Sequence, residues 1–278
     1  MIIVRLFGGL GNQLFQYAAG KSLAMHQGTT VKLDTSLLGI LAKRPFDLQY
    51  FNIPIDLATE EEIREYTAMP AWQKLLPPYK RKIYKEPHFH YDTNFFKARP
   101  NVYLKGYWQS EKYFKHIEAE IRKEFTVKEE YIRHLPPLAH EPSLFIHIRR
   151  SDYLKKEVQD YHGTMDADYY NKALEYVSKK APNLKVYFFS DDIEWVKQNI
   201  KIDHPYEMVT GNLTHTAIED FYLMSRCQHA IIANSSFSWW AAWLNNHPAK
   251  IVVAPGRWFI NTKLNTKDII PPNWTLIP

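Results

Sequence analysis

The chain is poor in what would staple, plug or tether a protein. One cysteine, Cys227, in 278 residues excludes an intramolecular disulfide framework and any all-cysteine zinc site. No apolar run approaches the roughly 18 residues of a membrane-spanning helix. The opening Met1-Ile2-Ile3-Val4-Arg5-Leu6-Phe7-Gly8 has neither the basic leader nor the long apolar stretch of a secretion signal, so a cytoplasmic location is expected. There is no His-Glu-x-x-His, no paired Cys-x-x-Cys and no Gly-x-Ser-x-Gly elbow, which removes the corresponding metalloprotease, zinc-ribbon and serine-hydrolase chemistries. Charge of one sign is scarce as well. The net charge is +5 and the basic residues are scattered, apart from Lys80-Arg81-Lys82. With no helix-turn-helix, zinc-finger or RNP signature, no nucleic-acid partner is expected. A nucleotide diphosphate or an anionic lipid surface fits such a charge, and a peripheral seat at the inner face of a membrane is compatible with it.

What is present is alternation of strand and helix patterns. Residues 2–6 read as a short buried strand, followed by Gly8-Gly9-Leu10-Gly11-Asn12-Gln13 and then by Leu14, Phe15, Ala18, Ala19, Leu23 and Ala24 at helical spacing. A second strand, 30–33, ends at Asp34, completing a βαβ unit. The stretch 37–100 is irregular, with a helix-like 59–67; a strand over 101–107 and an amphipathic helix over 111–125 follow. Leu135-Pro136-Pro137-Leu138-Ala139-His140-Glu141-Pro142 breaks all periodicity and marks the expected domain boundary, dividing the chain into 1–138 and 139–278. The second part alternates again. Strands are expected at 144–148, 185–189, 230–233 and 250–254, and helices at 168–179, 193–200, 214–227 and 236–245.

Parallel α/β sheets place ligands at the carboxyl ends of their strands, and four strand exits carry chemistry-bearing residues. The glycine loop is half of a dinucleotide fingerprint, with Leu14 where the third glycine would stand and no Lys-Ser/Thr pair after it. It reads either as a tight turn or as a loop offering Asn12 and backbone amides to a ligand. At the second exit, His147 and Arg149 share a strand face, and Arg149-Arg150 beside Asp152 suits a pyrophosphate held by guanidinium groups. The bland reading is an exposed arginine pair bridged to Asp152 and Glu157. Ser190-Asp191-Asp192 is able to meet a ribose or to cap the next helix. Asn234-Ser235-Ser236 opens a helix with donors suited to phosphate oxygens, while Trp239 and Trp240 read as core.

For metals, Asp166-Ala167-Asp168 matches an acid-x-acid pattern but opens an amphipathic helix, where capping is the better account. His88 and His90, with Asp92 near them, make a poor metal set.

Five segments in this order resemble the α-1,2-fucosyltransferases of glycosyltransferase family 11. They are Gly8-Gly9-Leu10-Gly11-Asn12-Gln13-Leu14-Phe15-Gln16-Tyr17, the run from Gly106-Tyr107-Trp108-Gln109 to Phe114, His147-Ile148-Arg149-Arg150-Ser151-Asp152-Tyr153, Ser190-Asp191-Asp192, and the run from Asn234-Ser235-Ser236 to Leu244. The resemblance spans nearly the whole chain. It implies a GT-B fold of two facing Rossmann-like α/β domains with an interdomain cleft, the N-terminal one on the acceptor side and the C-terminal one binding GDP-fucose. The implied reaction is inverting transfer of fucose, with no metal or other cofactor, to the 2-hydroxyl of a terminal galactose in a glycan. It also implies roles: Arg149 on the β-phosphate with Arg150 assisting, His147 and Asp220 toward guanine, Ser235 and Ser236 on phosphate, Asn12 facing the cleft, and His162-Gly163 near the acceptor. The mechanism needs a base for the acceptor hydroxyl; Asp152 is the first candidate, with Glu157 and Asp160 as alternatives. A fucosyltransferase of another linkage and a non-catalytic nucleotide- or carbohydrate-binding protein are the competing readings.

Overall fold

The computed structural model describes residues 1–39, 44–138, 142–150, 163–261 and 264–278. The chain divides into two compact units. The first comprises residues 1–126 and 265–271, the second 127–264 and 272–278. The division therefore falls at 126/127, ahead of the proline-rich segment, and a short later stretch returns to the first unit.

In the first unit the described strands are β1 (Ile2–Arg5), β2 (Val31–Asp34), β3 (Ile83–Lys85) and β4 (Val102–Lys105), in the order β2-β1-β4-β3, all parallel. Helix α1 (Leu10–His26) follows β1 directly. It lies so close to the sheet that a Cβ on Gly20 would come within 2.1 Å of the Val4 side chain, which explains the glycine in mid-helix. Thr59 caps α2 (Glu60–Thr67), accepting from the Glu62 amide while the Glu62 carboxylate accepts from the Thr59 amide. The expected helix over 111–125 is broken. Single 3-10 turns at Glu111–Tyr113 and Lys115–Ile117 precede α3 (Glu118–Glu124), because Phe114, at φ −137° and ψ 2°, leaves helical geometry while it and Tyr113 turn into the core.

The described strands of the second unit are β5 (Ser143–Ile148), β6 (Lys185–Ser190), β7 (Tyr206–Met208), β8 (His229–Ile231), β9 (Val252–Pro255) and β10 (Thr275–Ile277). Their order is β10-β9-β8-β5-β6-β7, again all parallel. Every residue of β5 is buried, as a central strand covered on both faces requires. The helices are α4 (Ala167–Lys180), α5 (Ile193–Asn199), α6 (Ala217–Arg226) and α7 (Ser236–Leu244). Residues 214–216, expected as helix, instead form the turn before α6. Strands β3, β7 and β10, three residues each, carry no pattern legible in the sequence.

The order of the second sheet is doubly wound. The chain runs outward from β5 to β6 and β7, then returns to β8 on the other side and runs outward to β9 and β10. The reversal lies between β5 and β8, and such a point opens a crevice beyond the carboxyl ends of the two strands. In the first unit the corresponding reversal lies between β1 and β4.

Candidate active site

At the reversal of the second sheet the exits of β5 and β8 meet. His147 on β5 contacts Phe237 in the first turn of α7, ring centroids 5.7 Å apart, and Phe237 packs against Phe221 of α6 at 5.4 Å. Two adjacent tyrosines of α4 brace both exits. Tyr169 donates its hydroxyl to the Ile232 carbonyl (2.7 Å) and Tyr170 to the His147 carbonyl (3.2 Å). Asp166 caps α4 by accepting from the Tyr169 amide (2.9 Å), and Asp168 pairs with Lys172 (2.6 Å), so both carboxylates of the acid-x-acid pattern serve the helix. Among the described residues no group of three or more His, Cys, Asp or Glu side chains is placed to hold a metal ion.

His147 is 7% exposed, and burial, reinforced by the charge of Arg149, pushes its imidazole down to about 3. It is neutral throughout the physiological range and so is neither a cation nor a proton carrier there. Its Nδ1 is buried and makes no hydrogen bond among the described residues. The Arg150 guanidinium lies over the Trp195 ring, 4.2 Å from its centroid, and its Nε donates to the Asp192 carboxylate (3.3 Å). The Arg150 amide donates to the Asp191 carboxylate (2.8 Å). Arg150 is thereby tied to the β6 exit. Asp192 also caps α5, accepting from the Trp195 amide (3.1 Å).

The β8 exit is built around Asn234, 2% exposed, whose Nδ2 donates to the carbonyls of Gly163 and Trp258, both at 3.1 Å. Ser235 stands at the N-cap of α7 without a side-chain capping bond, and the first turn of the helix holds no acid. The amides at this N-terminus are thus not capped by the Ser235 side chain, a setting suited to anions. Trp239 and Trp240 are buried core residues. Asp220, on α6, accepts from the hydroxyls of Thr210 (2.9 Å) and Thr214, and burial pushes its carboxyl above the ordinary carboxylate range. It pins the 210–214 turn to the helix. Asp152, Glu157, Asp160 and His162 lie outside the described residues.

In the first unit the β1 and β4 exits are joined by amides. Gln109 donates to the Asn12 side-chain carbonyl (2.7 Å), and Phe7 and Tyr107 meet edge to face at 4.7 Å. Gly8 has φ +79°, and a Cβ there would come within 2.5 Å of the Asn12 Nδ2, so only glycine lets Asn12 fold back over the loop. Gln13 fixes the loop from behind, donating to the Gly8 and Pro45 carbonyls (both 2.9 Å) and accepting from the Asp47 amide (2.9 Å). Glu86, which follows β3, carried no signal in the sequence. Its carboxylate accepts from the amides of Tyr107 (2.7 Å) and Trp108 (2.9 Å), latching Trp108 at φ +56°. Burial raises Glu86 to about 7.

The comparisons agree with this architecture. The family model described as glycosyl transferase family 11 matches residues 1–278. An Escherichia coli protein named alpha-1,2-colitosyltransferase is 31% identical over 297 aligned positions, covering 100% of this chain and 99% of its own length. A Mus musculus galactoside 2-alpha-L-fucosyltransferase, Sec1, is 28% identical over 88% of this chain and 64% of its own length. Among solved structures, a NodZ alpha-1,6-fucosyltransferase soaked with GDP-fucose aligns with a TM-score of 0.50 at 17% identity, covering 87% of this chain and 91% of that one. Fold and sequence together define a glycosyltransferase of the GT-B type. Within that class, the chain belongs to glycosyl transferase family 11.

Proposed function

We propose that the chain transfers fucose from GDP-fucose to the 2-hydroxyl of a terminal galactose in an oligosaccharide or polysaccharide, with inversion and without a metal ion. The observation that carries this reading is the doubly wound order of the second sheet, which opens one crevice to both Arg149, leaving β5, and the N-terminus of α7, leaving β8. A nucleotide diphosphate matches that crevice in charge and in donors.

As the bond from the fucose anomeric carbon to the β-phosphate oxygen breaks, positive charge grows on the sugar and negative charge on the departing GDP. Arg149 stabilises the latter, with Ser235, Ser236 and the α7 amides beside it. The acceptor hydroxyl attacks from the opposite face and gives its proton to a base, for which Asp152 is the first candidate, ahead of Glu157. His147, neutral and buried, shapes the crevice rather than carrying the proton. Asp220, raised by burial, faces guanine in this scheme. Asn12 faces the cleft as a donor-binding residue, His162 lies on the acceptor side, and the site of action is the cytoplasm.

A second reading is favoured by the 31% identity to an alpha-1,2-colitosyltransferase. Colitose is fucose lacking its 3-hydroxyl, so the two donors differ by one polar group, and a site that hydrogen-bonds that hydroxyl rejects the analogue lacking it. The test offers GDP-fucose and GDP-colitose, separately and in competition, with lactose and a β-galactosyl-N-acetylhexosamine as acceptors, in EDTA. GDP release and product linkage are read. EDTA-resistant transfer of fucose to the galactose 2-hydroxyl is the expected result. Preference for GDP-colitose selects the second reading, and failure to bind either donor overturns both.

A further inference from the structure

The excess charge of this chain has an address. The fifteen residues from Ala71 to Lys85 contain Lys74, Lys80, Arg81, Lys82 and Lys85 and no acid. The net charge of the whole chain is +5, so basic and acidic residues elsewhere are equal in number. The same segment carries two of the most exposed large apolar side chains among the described residues, Trp72 at 60% and Leu75 at 88%.

The segment is folded, not merely extended. Single 3-10 turns span Ala71–Leu75 and Pro78–Lys80, with Pro70, Pro77 and Pro78 fixing their entries. Buried Gln73 accepts from the Lys82 amide (2.9 Å), and the Arg81 guanidinium donates to the carbonyls of Leu76 (2.7 Å) and Lys74 (2.9 Å). These bonds lay the limb bearing Trp72, Lys74 and Leu75 beside the limb bearing Lys80, Arg81 and Lys82. The Lys82 ammonium donates to the Glu65 carbonyl. Among the described residues, no carboxylate pairs with Lys74, Lys80 or Lys85.

We infer that this loop docks the protein on an anionic lipid bilayer, with Trp72 and Leu75 entering the interface and the lysines meeting lipid headgroups. Charge complementarity selects an anionic surface. The apolar pair selects a bilayer over a nucleic acid, because an aliphatic side chain held out in water gains nothing from phosphate but gains burial at the boundary between headgroups and acyl chains. Tryptophan at headgroup depth with lysine beside it is the pairing such a boundary favours. The inference is independent of the donor and acceptor.

The test is co-sedimentation of the full chain with vesicles of phosphatidylcholine alone and of phosphatidylcholine with about one third phosphatidylglycerol. The wild type and two variants, Trp72→Ser/Leu75→Ser and Lys74→Gln/Lys80→Gln, are compared, their folding checked by circular dichroism and thermal unfolding. Binding is expected to the anionic vesicles only, and to weaken with salt. Roughly fivefold should be lost for each lysine removed, and at least about tenfold for the apolar pair. No binding of wild type to anionic vesicles overturns the inference, as does undiminished binding by the folded Trp72→Ser/Leu75→Ser variant. So does tighter binding to a random oligonucleotide than to the vesicles.

Discussion

The two units end their parallel sheets in opposite chemical styles. In the first, the exits are closed by neutral and acidic groups: Gln109 on Asn12, Gln13 on Gly8 and Pro45, Glu86 on the amides of Tyr107 and Trp108. In the second, the reversal is flanked by a helix N-terminus without a side-chain cap or an acid in its first turn, beside an imidazole that burial keeps neutral. The first arrangement spends its polar groups on its own loops, while the second has a helix N-terminus with no acid in its first turn. Similar sheets are thus specialised by their exit loops, since strand ends fix position while loops supply chemistry.

The largest expected effect tests that division directly. Arg149→Ala should lower turnover by about 10²- to 10³-fold, the loss typical when charge stabilisation of a leaving group is removed, and Asn12→Ala in the first unit should cost far less. Steady-state kinetics of both variants check this. Equal losses, or an Arg149→Ala enzyme near wild-type turnover, break the comparison.

Next come the side chains that hold each exit in shape. Asn234→Ala strips two carbonyls of their donor, and Gln13→Ala strips two carbonyls of their donor and the Asp47 amide of its acceptor. Each should cost about 2–4 kcal/mol, read as a lowered unfolding midpoint in urea. A midpoint unchanged in either variant would show that the exit it braces is held by something else.

The smallest effect separates the units by pH. Burial raises Glu86 from 4.5 to about 7, so the folded chain binds this proton more tightly than the unfolded one. Its contribution to stability is fully present below pH 4.5 and is lost as pH rises through 7. The wild type should therefore lose more stability than Glu86→Gln between pH 5 and pH 8, measured by urea unfolding of both. Parallel pH profiles would remove Glu86 as a titrating latch.

Much of this was legible in the sequence. The βαβ opening, the strand β5, the cap at Asp166 and the packing role of Trp239 and Trp240 follow from periodicity and end signals. The motifs at the β5 and β8 exits were visible as polar residues after apolar runs. What was not legible depends on distant partners. Nothing near Glu86 in sequence announces that its carboxylate will hold two amides some twenty residues later. That Arg150 lies over Trp195 and reaches Asp192 is not announced by its neighbours in sequence. The helix expected over 111–125 had the right spacing, but Tyr113 and Phe114 gain more from turning into the core than the chain gains from unbroken helical bonds. Short edge strands such as β7 offer three residues, too few for alternation to register.

One feature of the chain's path bears on how it is made. Residues 265–271 belong to the first unit, where Asp268 accepts from the Tyr91 amide (3.0 Å) and pairs with Lys112, and residues 272–278 supply β10 at the edge of the second sheet. During synthesis, neither unit can be finished when the ribosome has passed residue 264. The first emerges early yet waits for Asp268, and the second waits for its edge strand. No single cut divides the polypeptide into two self-sufficient pieces, so a fragment ending at Thr126 should be a poorer folder than its compactness suggests, and neither fold is complete before residues 265–278 have been made.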